Sequence, residues 1–114
     1  MQPAPRDRRS TFRYPSPGTS ALATLVHQGR RWRAYVHDVS SEGVGLYAPE
    51  PLPVGAAATV ELSTTSGLFA RTLEFSVRHA RELVDGRYLV GGCFTSDRLS
   101  REDLAALLAR PQLR

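Results

Sequence analysis

Two short stretches of this chain carry side chains whose types and spacing could do chemistry. One is Asp38-Val39-Ser40-Ser41-Glu42-Gly43, followed by Val44-Gly45-Leu46-Tyr47; the other is Arg8-Arg9-Ser10-Thr11-Phe12-Arg13. In the first, a carboxylate and a hydroxyl two residues apart can each bond nearby backbone, and Gly43 can take a positive φ that other residues resist. A turn that only reverses the chain can do so in two residues. This one reads as longer, with a carboxylate, two hydroxyls and a glycine that admits a close approach, and it is expected to form half of a binding site. In the second stretch Arg9 and Arg13 lie four apart, with Arg8 beside them and Phe12 and Tyr14 close by. Arginine forks pair in two-pronged fashion with phosphate and match the O6 and N7 acceptors of guanine, whereas a carboxylate such as Asp38 accepts from the N–H donors on the other guanine edge. An arm with Arg8, Arg9 and Arg13 facing a turn with Asp38 and Ser40 therefore has the parts for a purine nucleotide carrying several phosphate charges.

The elements that must position these groups are mostly strands. Thr19–His27 and Arg30–Ser40 alternate around a Gln28-Gly29 turn signal; Trp32, Ala34 and Val36 fall on one face of the second, Arg31, Arg33, Tyr35 and His37 on the other. Gly43–Ala48 is a short apolar strand, and Pro49-Glu50-Pro51-Leu52-Pro53 a loop that no helix could cross. Ala57–Ser63 is a fourth strand. Phe69–Leu83 is a fifth, with Phe69, Leu73, Phe75, Val77 and His79 expected on one face and Glu74, Ser76 and Arg78 on the other. Asp85-Gly86 marks a hairpin into Arg87–Phe94, where Gly91-Gly92 signals a bulge or a close backbone approach. Ser100 starts a helix as its N-cap, with Asp103 at N3, Leu99 and Leu104 at the hydrophobic-staple positions, a stripe of Leu104, Leu107 and Leu108, and Pro111 as its stop. Six short strands and one terminal helix predict a mostly β chain, a small antiparallel β-barrel with a C-terminal α-helix packed on it. Residues 1–18, with four prolines and four arginines, read as a flexible arm, residues 19–110 as the barrel plus helix, and 111–114 as a tail.

Composition narrows the function. The 114 residues fit one small domain, and 41% hydrophobic content supports one modest core. Every basic residue is arginine, and residues 1–40 carry a net +5 against −1 for the remainder, which points to an anionic partner near the start of the chain. A solvated basic tail is the plainer reading of the same charge. The single cysteine, Cys93, excludes an internal disulfide and a cysteine zinc site, and none of His27, His37 and His79 stands at ligand spacing with another His or Cys, so no metal is expected. No Ser sits in a strained elbow and no Gly-rich phosphate loop is present, so the chain is not read as an enzyme. Trp32, Tyr35 and Phe12 could stack single-stranded bases, but the basic excess lies in one arm rather than in a stripe interleaved with aromatics, and nucleic acid is disfavoured. With no apolar stretch behind the basic N-terminus and no run of membrane-spanning length, the expected location is the cytoplasm.

Arg9-x-x-x-Arg13, followed about 25 residues later by Asp38-x-Ser40-x-x-Gly43, resembles the two-part signature of the PilZ domain family. Val77-Arg78 and Tyr88-Leu89-Val90-Gly91-Gly92-Cys93-Phe94 resemble that family's closing strands, so the likeness runs from about Arg8 to Arg110. Either half-motif alone is weak; together, at this spacing and on this strand pattern, they are specific. The resemblance implies a barrel of the split-barrel type that binds the bacterial second messenger cyclic di-GMP without a further cofactor. It implies that Arg9 and Arg13 hold phosphate and guanine, that Asp38 and Ser40 contact guanine, and that Gly43 permits the tight turn beneath the ligand. Arg8 matches members that take two stacked ligands, and Arg78 lies where some members present another ligand-facing side chain. Gly92 departs from the pattern, since many members carry a bulkier residue there. The implied role is a receptor whose arm changes conformation on binding and signals to an effector protein. The alternatives are a ligand-independent protein adaptor and, less favoured, a single-stranded nucleic-acid binder. Neither the effector nor the oligomeric state is legible in the sequence.

Overall fold

Alternation of apolar and polar residues gives each strand one face that must be buried, and antiparallel neighbours bury it by closing on one another. In the computed structural model, which describes residues 14–15, 21–67 and 69–109, the strands are β1 (Tyr14–Pro15), β2 (Ala21–His27), β3 (Arg30–Val39), β4 (Gly43–Ala48), β5 (Ala57–Thr64), β6 (Ala70–Glu82) and β7 (Tyr88–Phe94). One helix follows, α1 (Arg101–Leu108). Strands β2 to β7 form a closed six-stranded antiparallel barrel in the order β3-β2-β5-β6-β7-β4, with β4 pairing back on β3. The two residues of β1 pair with β3 at Val39 and Asp38. The six strands expected from the sequence are the six of the barrel.

The inward side chains make one core. Leu25, Leu46, Val60, Leu62, Leu73, Phe75, Val77 and Val90 are fully buried, joined by Leu52 from the proline-rich loop and by Leu99 and Leu107 from the C-terminal segment. The β2–β3 hairpin turns on Gln28 (φ 52°) and Gly29 (φ 80°), two left-handed residues whose twist matches that of the flanking strands. Helix α1 begins with the expected reciprocal cap. The Ser100 hydroxyl accepts from the Asp103 N–H at 3.0 Å, and the Asp103 carboxylate accepts from the Ser100 N–H at 2.8 Å. Arg71 of β6 donates to that same carboxylate at 2.6 Å, to Asp97 at 2.6 Å and to the Arg98 carbonyl at 3.2 Å, which ties the helix start to the barrel wall. Leu104, Leu107 and Leu108 face the core. Among the described residues no helix is long and apolar enough to cross a membrane.

Two irregularities alter the expected faces. Register shifts fall between Val36 and Asp38 in β3 and between Val77 and His79 in β6. Each inserts one residue and so inverts the two-residue alternation beyond it. Thus His79, expected on the face of Phe75, is exposed, and Ala80 turns towards the core instead. The expected arm and tail fall largely outside the described residues, as does Pro111. Of the arm, Tyr14 and Pro15 form β1, an edge strand paired only with β3, where proline's missing donor is tolerated.

Candidate functional site

The bulge in β3 decides where the carboxylate of Asp38 goes. Up to Val36 the strand keeps its alternation, with Ala34 and Val36 buried and Arg33 and Tyr35 exposed. The extra residue then places His37 and Asp38 both on the outer surface, and Val39 in the core. Asp38 pairs across to Gly45 of β4, Gly45 to Gly91 of β7, and Gly91 to His79 of β6. A straight row, Asp38-Gly45-Gly91-His79, therefore crosses four strands of the outer wall. Its two central members have no side chain, and the reason is visible. A Cβ on Gly45 would stand 2.7 Å from Asp38 Oδ1, and one on Gly91 would run into Cε1 and Nε2 of the His79 ring. The space over this glycine floor is filled by the Asp38 carboxylate and the His79 ring themselves, so a flat ring lies on the backbone there only where those two side chains turn aside.

The turn below this row is built by Ser40. Its N–H donates to the Gly43 carbonyl at 2.9 Å, and its hydroxyl accepts from the N–H groups of Glu42 and Gly43, each at 3.2 Å. Ser40 is 1% exposed. The turn is tighter than the sequence suggested, with only Ser41 and Glu42 at its tip. Gly43 is buried at the first position of β4, opposite Cys93, and is not in the left-handed region; among the described residues the positive-φ glycines are Gly29, Gly55, Gly67 and Gly86. The tip is held from outside: Phe94 N–H donates to the Glu42 carbonyl at 2.8 Å, Leu99 N–H to the Ser41 carbonyl at 3.0 Å, and Arg98 pairs with the Glu42 carboxylate at 2.9 Å.

A second outward row, Tyr35-Tyr47-Leu89-Arg81, flanks the first. Arg87 lies 4.5 Å over the Tyr47 ring and is paired with Asp85 at 2.8 Å. That guanidinium holds the Asp85 carboxyl below the ordinary carboxylate value, with the Arg87 N–H adding to the effect.

Of the sequence-expected site residues, the structure brings Asp38, Ser40 and Gly43 together at one turn. Arg78 is exposed and sits in the β6 bulge beside His79. Arg8, Arg9 and Arg13 lie outside the described residues. The strand that begins directly after Arg13 pairs Tyr14 with Val39 and Pro15 with Asp38, so the chain leaving the first half-motif runs alongside the second. The unexplained Gly92 has a steric reason: a Cβ there would collide with the Ser76 carbonyl oxygen and lie 2.6 Å from Phe75 Cδ2. Sequence reasoning missed the roles of Gly45, His37 and His79. A glycine within an apolar strand was the available sign for the first; Gly91-Gly92 signalled a bulge or close approach and lies opposite the β6 bulge that re-aims His79, whereas nothing marked the β3 bulge, which keeps His37 outward and re-aims Asp38. Among the described residues no three of His, Cys, Asp and Glu come together as metal ligands would.

Comparisons agree with this fold. The family model of the PilZ domain matches residues 7–110. Three solved structures share the fold at low identity. They are the Bacillus subtilis inhibitor of motility MotI/DgrA (17% identity, TM-score 0.62, over 90% of this chain and 48% of that one), the K. pneumonia MrkH–c-di-GMP complex (19%, 0.63, 79% and 45%) and the PilZ domain of Escherichia coli YcgR with c-di-GMP (19%, 0.61, 89% and 86%). The chain thus spans about half the length of the first two. No curated protein matches.

Proposed function

This chain belongs to the PilZ domain family, and on that premise we propose that it is a receptor for cyclic di-GMP that acts by binding rather than by catalysis. One observation carries the reading: β1, which starts directly after Arg13, is paired at Asp38, whose cross-strand neighbours are Gly45 and, beyond it, Gly91. The chain that follows the first half-motif thereby runs beside the second, which supports a site shared by the two. The binding of c-di-GMP by the MrkH and YcgR structures supports the choice of ligand.

In this reading the Asp38 carboxylate accepts from the N–H donors of guanine, whose ring lies on the glycine floor. Ser40 and Gly43 hold the turn and bring its backbone up to the base. Arg9 and Arg13 pair with phosphate and with guanine O6 and N7, Arg8 supports a second stacked ligand, and Arg78 lines the far side. Ligand phosphates neutralise the arginines and draw residues 1–13 onto the barrel, and the closed surface is what an effector protein reads. The ordering offsets part of the binding energy.

The test is isothermal titration with cyclic di-GMP, with GTP and cyclic di-AMP as controls, on the wild-type chain and on Arg9→Ala and Arg13→Ala. Selective binding, weakened by more than about tenfold in each variant, is the expected result, since each loses a charged hydrogen-bonding group. A double variant with wild-type affinity would sink the proposed closure of the arm over the ligand. No binding at high micromolar ligand would turn attention to a ligand-independent adaptor.

A further inference from the structure

We propose that His37 is a positioning residue for the Asp38 carboxylate and, through it, a determinant of guanine selectivity; this rests on the receptor reading above. Adjacent residues of a regular strand point to opposite faces, so a histidine next to an aspartate could not ordinarily hold it. The β3 bulge removes that obstacle by turning both outward, and His37 Nδ1 then stands 3.1 Å from Asp38 Oδ2. An aspartate's terminal torsion is broad, and a donor on one oxygen fixes the plane of the group. The absent side chain of Gly45 leaves room for the other oxygen.

The ring is itself held. It meets Tyr47 edge-on, with centroids 5.0 Å apart and planes at 80°. Tyr47 lies under the Arg87 guanidinium, and Arg87 is anchored by Asp85 on the β6–β7 hairpin. A chain of side chains thus runs from the hairpin through Tyr47 to His37 and on to Asp38, along the border of the glycine floor. Guanine presents two neighbouring N–H donors, one on N1 and one on N2, and a carboxylate held in a fixed plane meets both. Loss of the plane weakens the second donor's bond most, which is why the effect falls on selectivity.

The experiment measures affinity for cyclic di-GMP and for cyclic di-IMP, whose base lacks the 2-amino group, in wild type, His37→Ala and His37→Asn, with thermal midpoints alongside. His37→Ala is expected to weaken cyclic di-GMP binding by about tenfold and to shrink the preference over cyclic di-IMP. His37→Asn, whose amide N–H can reach the place of Nδ1, is expected to keep most of that preference. The ring nitrogens of His37 in the ligand-free chain, read by long-range proton–nitrogen NMR, are expected to carry the proton on Nδ1. An unchanged preference in His37→Ala, an equal loss in His37→Asn, or a bare Nδ1 would overturn the assignment while leaving the receptor reading intact. Absence of binding by the wild-type chain would overturn the receptor reading and this assignment with it.

Discussion

Asp38 and Gly45 illustrate how an absent atom can matter as much as a charged one. An added Cβ at Gly45 would meet only the end of the Asp38 side chain, at 2.7 Å, so Gly45→Ala forces the carboxylate to rotate and leaves the backbone undisturbed. The expected result is a thermal midpoint close to wild type with cyclic di-GMP affinity reduced by about tenfold, measured by titration. Gly92 presents the opposite case. Its missing side chain points at the Ser76 carbonyl and the buried Phe75 ring, neither of which can step aside. Gly92→Ala should destabilise the fold by about 1–3 kcal/mol through overpacking, seen as a lower denaturant midpoint with an unchanged slope. Both glycines lie inside strands, where the residue type weakens the element and so marks a steric demand.

The strands and the helix were legible because each carries its period and its punctuation. Alternation identified β2, β3 and β6, Asp85-Gly86 the last hairpin, and Ser100 with Asp103 the capping box down to its reciprocal bonds. The β3 bulge was not legible, and the β6 bulge only through the Gly91-Gly92 pair opposite it. His37 and Arg78 are polar residues among polar residues, and an inserted position changes the phase of a strand without changing its composition. The misassignment of His79 follows from that. Gly43 was misjudged for another reason: the Ser40 hydroxyl takes over the turn, so no left-handed glycine is needed. The segment before α1 carries a pH-dependent tie. The Arg98 N–H first, and Arg71 after it, hold the Asp97 carboxyl below its ordinary value. A lowered folded value means the contribution is present above about pH 4 and is lost as acid protonates the group. Asp97→Asn should therefore lower the thermal midpoint slightly at pH 7, by an amount limited by solvent exposure, and the difference from wild type should shrink as the pH is taken below about 4.

At the scale of the molecule, the closed barrel joins all six strands around one core, with no subset able to bury its face alone. The ring is completed by β3 and β4 at one junction and by β2 pairing with β5, a connection across a long stretch of chain. Refolding should be a single cooperative phase on the scale of about milliseconds to seconds, because distant strands must meet before any of their contacts stabilise the chain. Stopped-flow fluorescence of Trp32, which packs against the core, reads it directly. Charge asymmetry pointed to an anionic partner for the N-terminal segment, and the paired half-motifs to the turn at Asp38 as the place proposed for it. The two-residue β1 stayed hidden because a tyrosine and a proline carry no strand period.

The tip of the Ser40 turn gives up its two carbonyl oxygens to Phe94 and Leu99, residues more than 50 positions further along the chain. The amide protons of Phe94 and Leu99 are consequently a built-in clock for the turn. While the turn is shut, both are shielded from solvent; each time it opens, both can be traded for deuterium together. Their joint exchange rate, followed with and without cyclic di-GMP, would time the opening of the turn from two residues outside the proposed site.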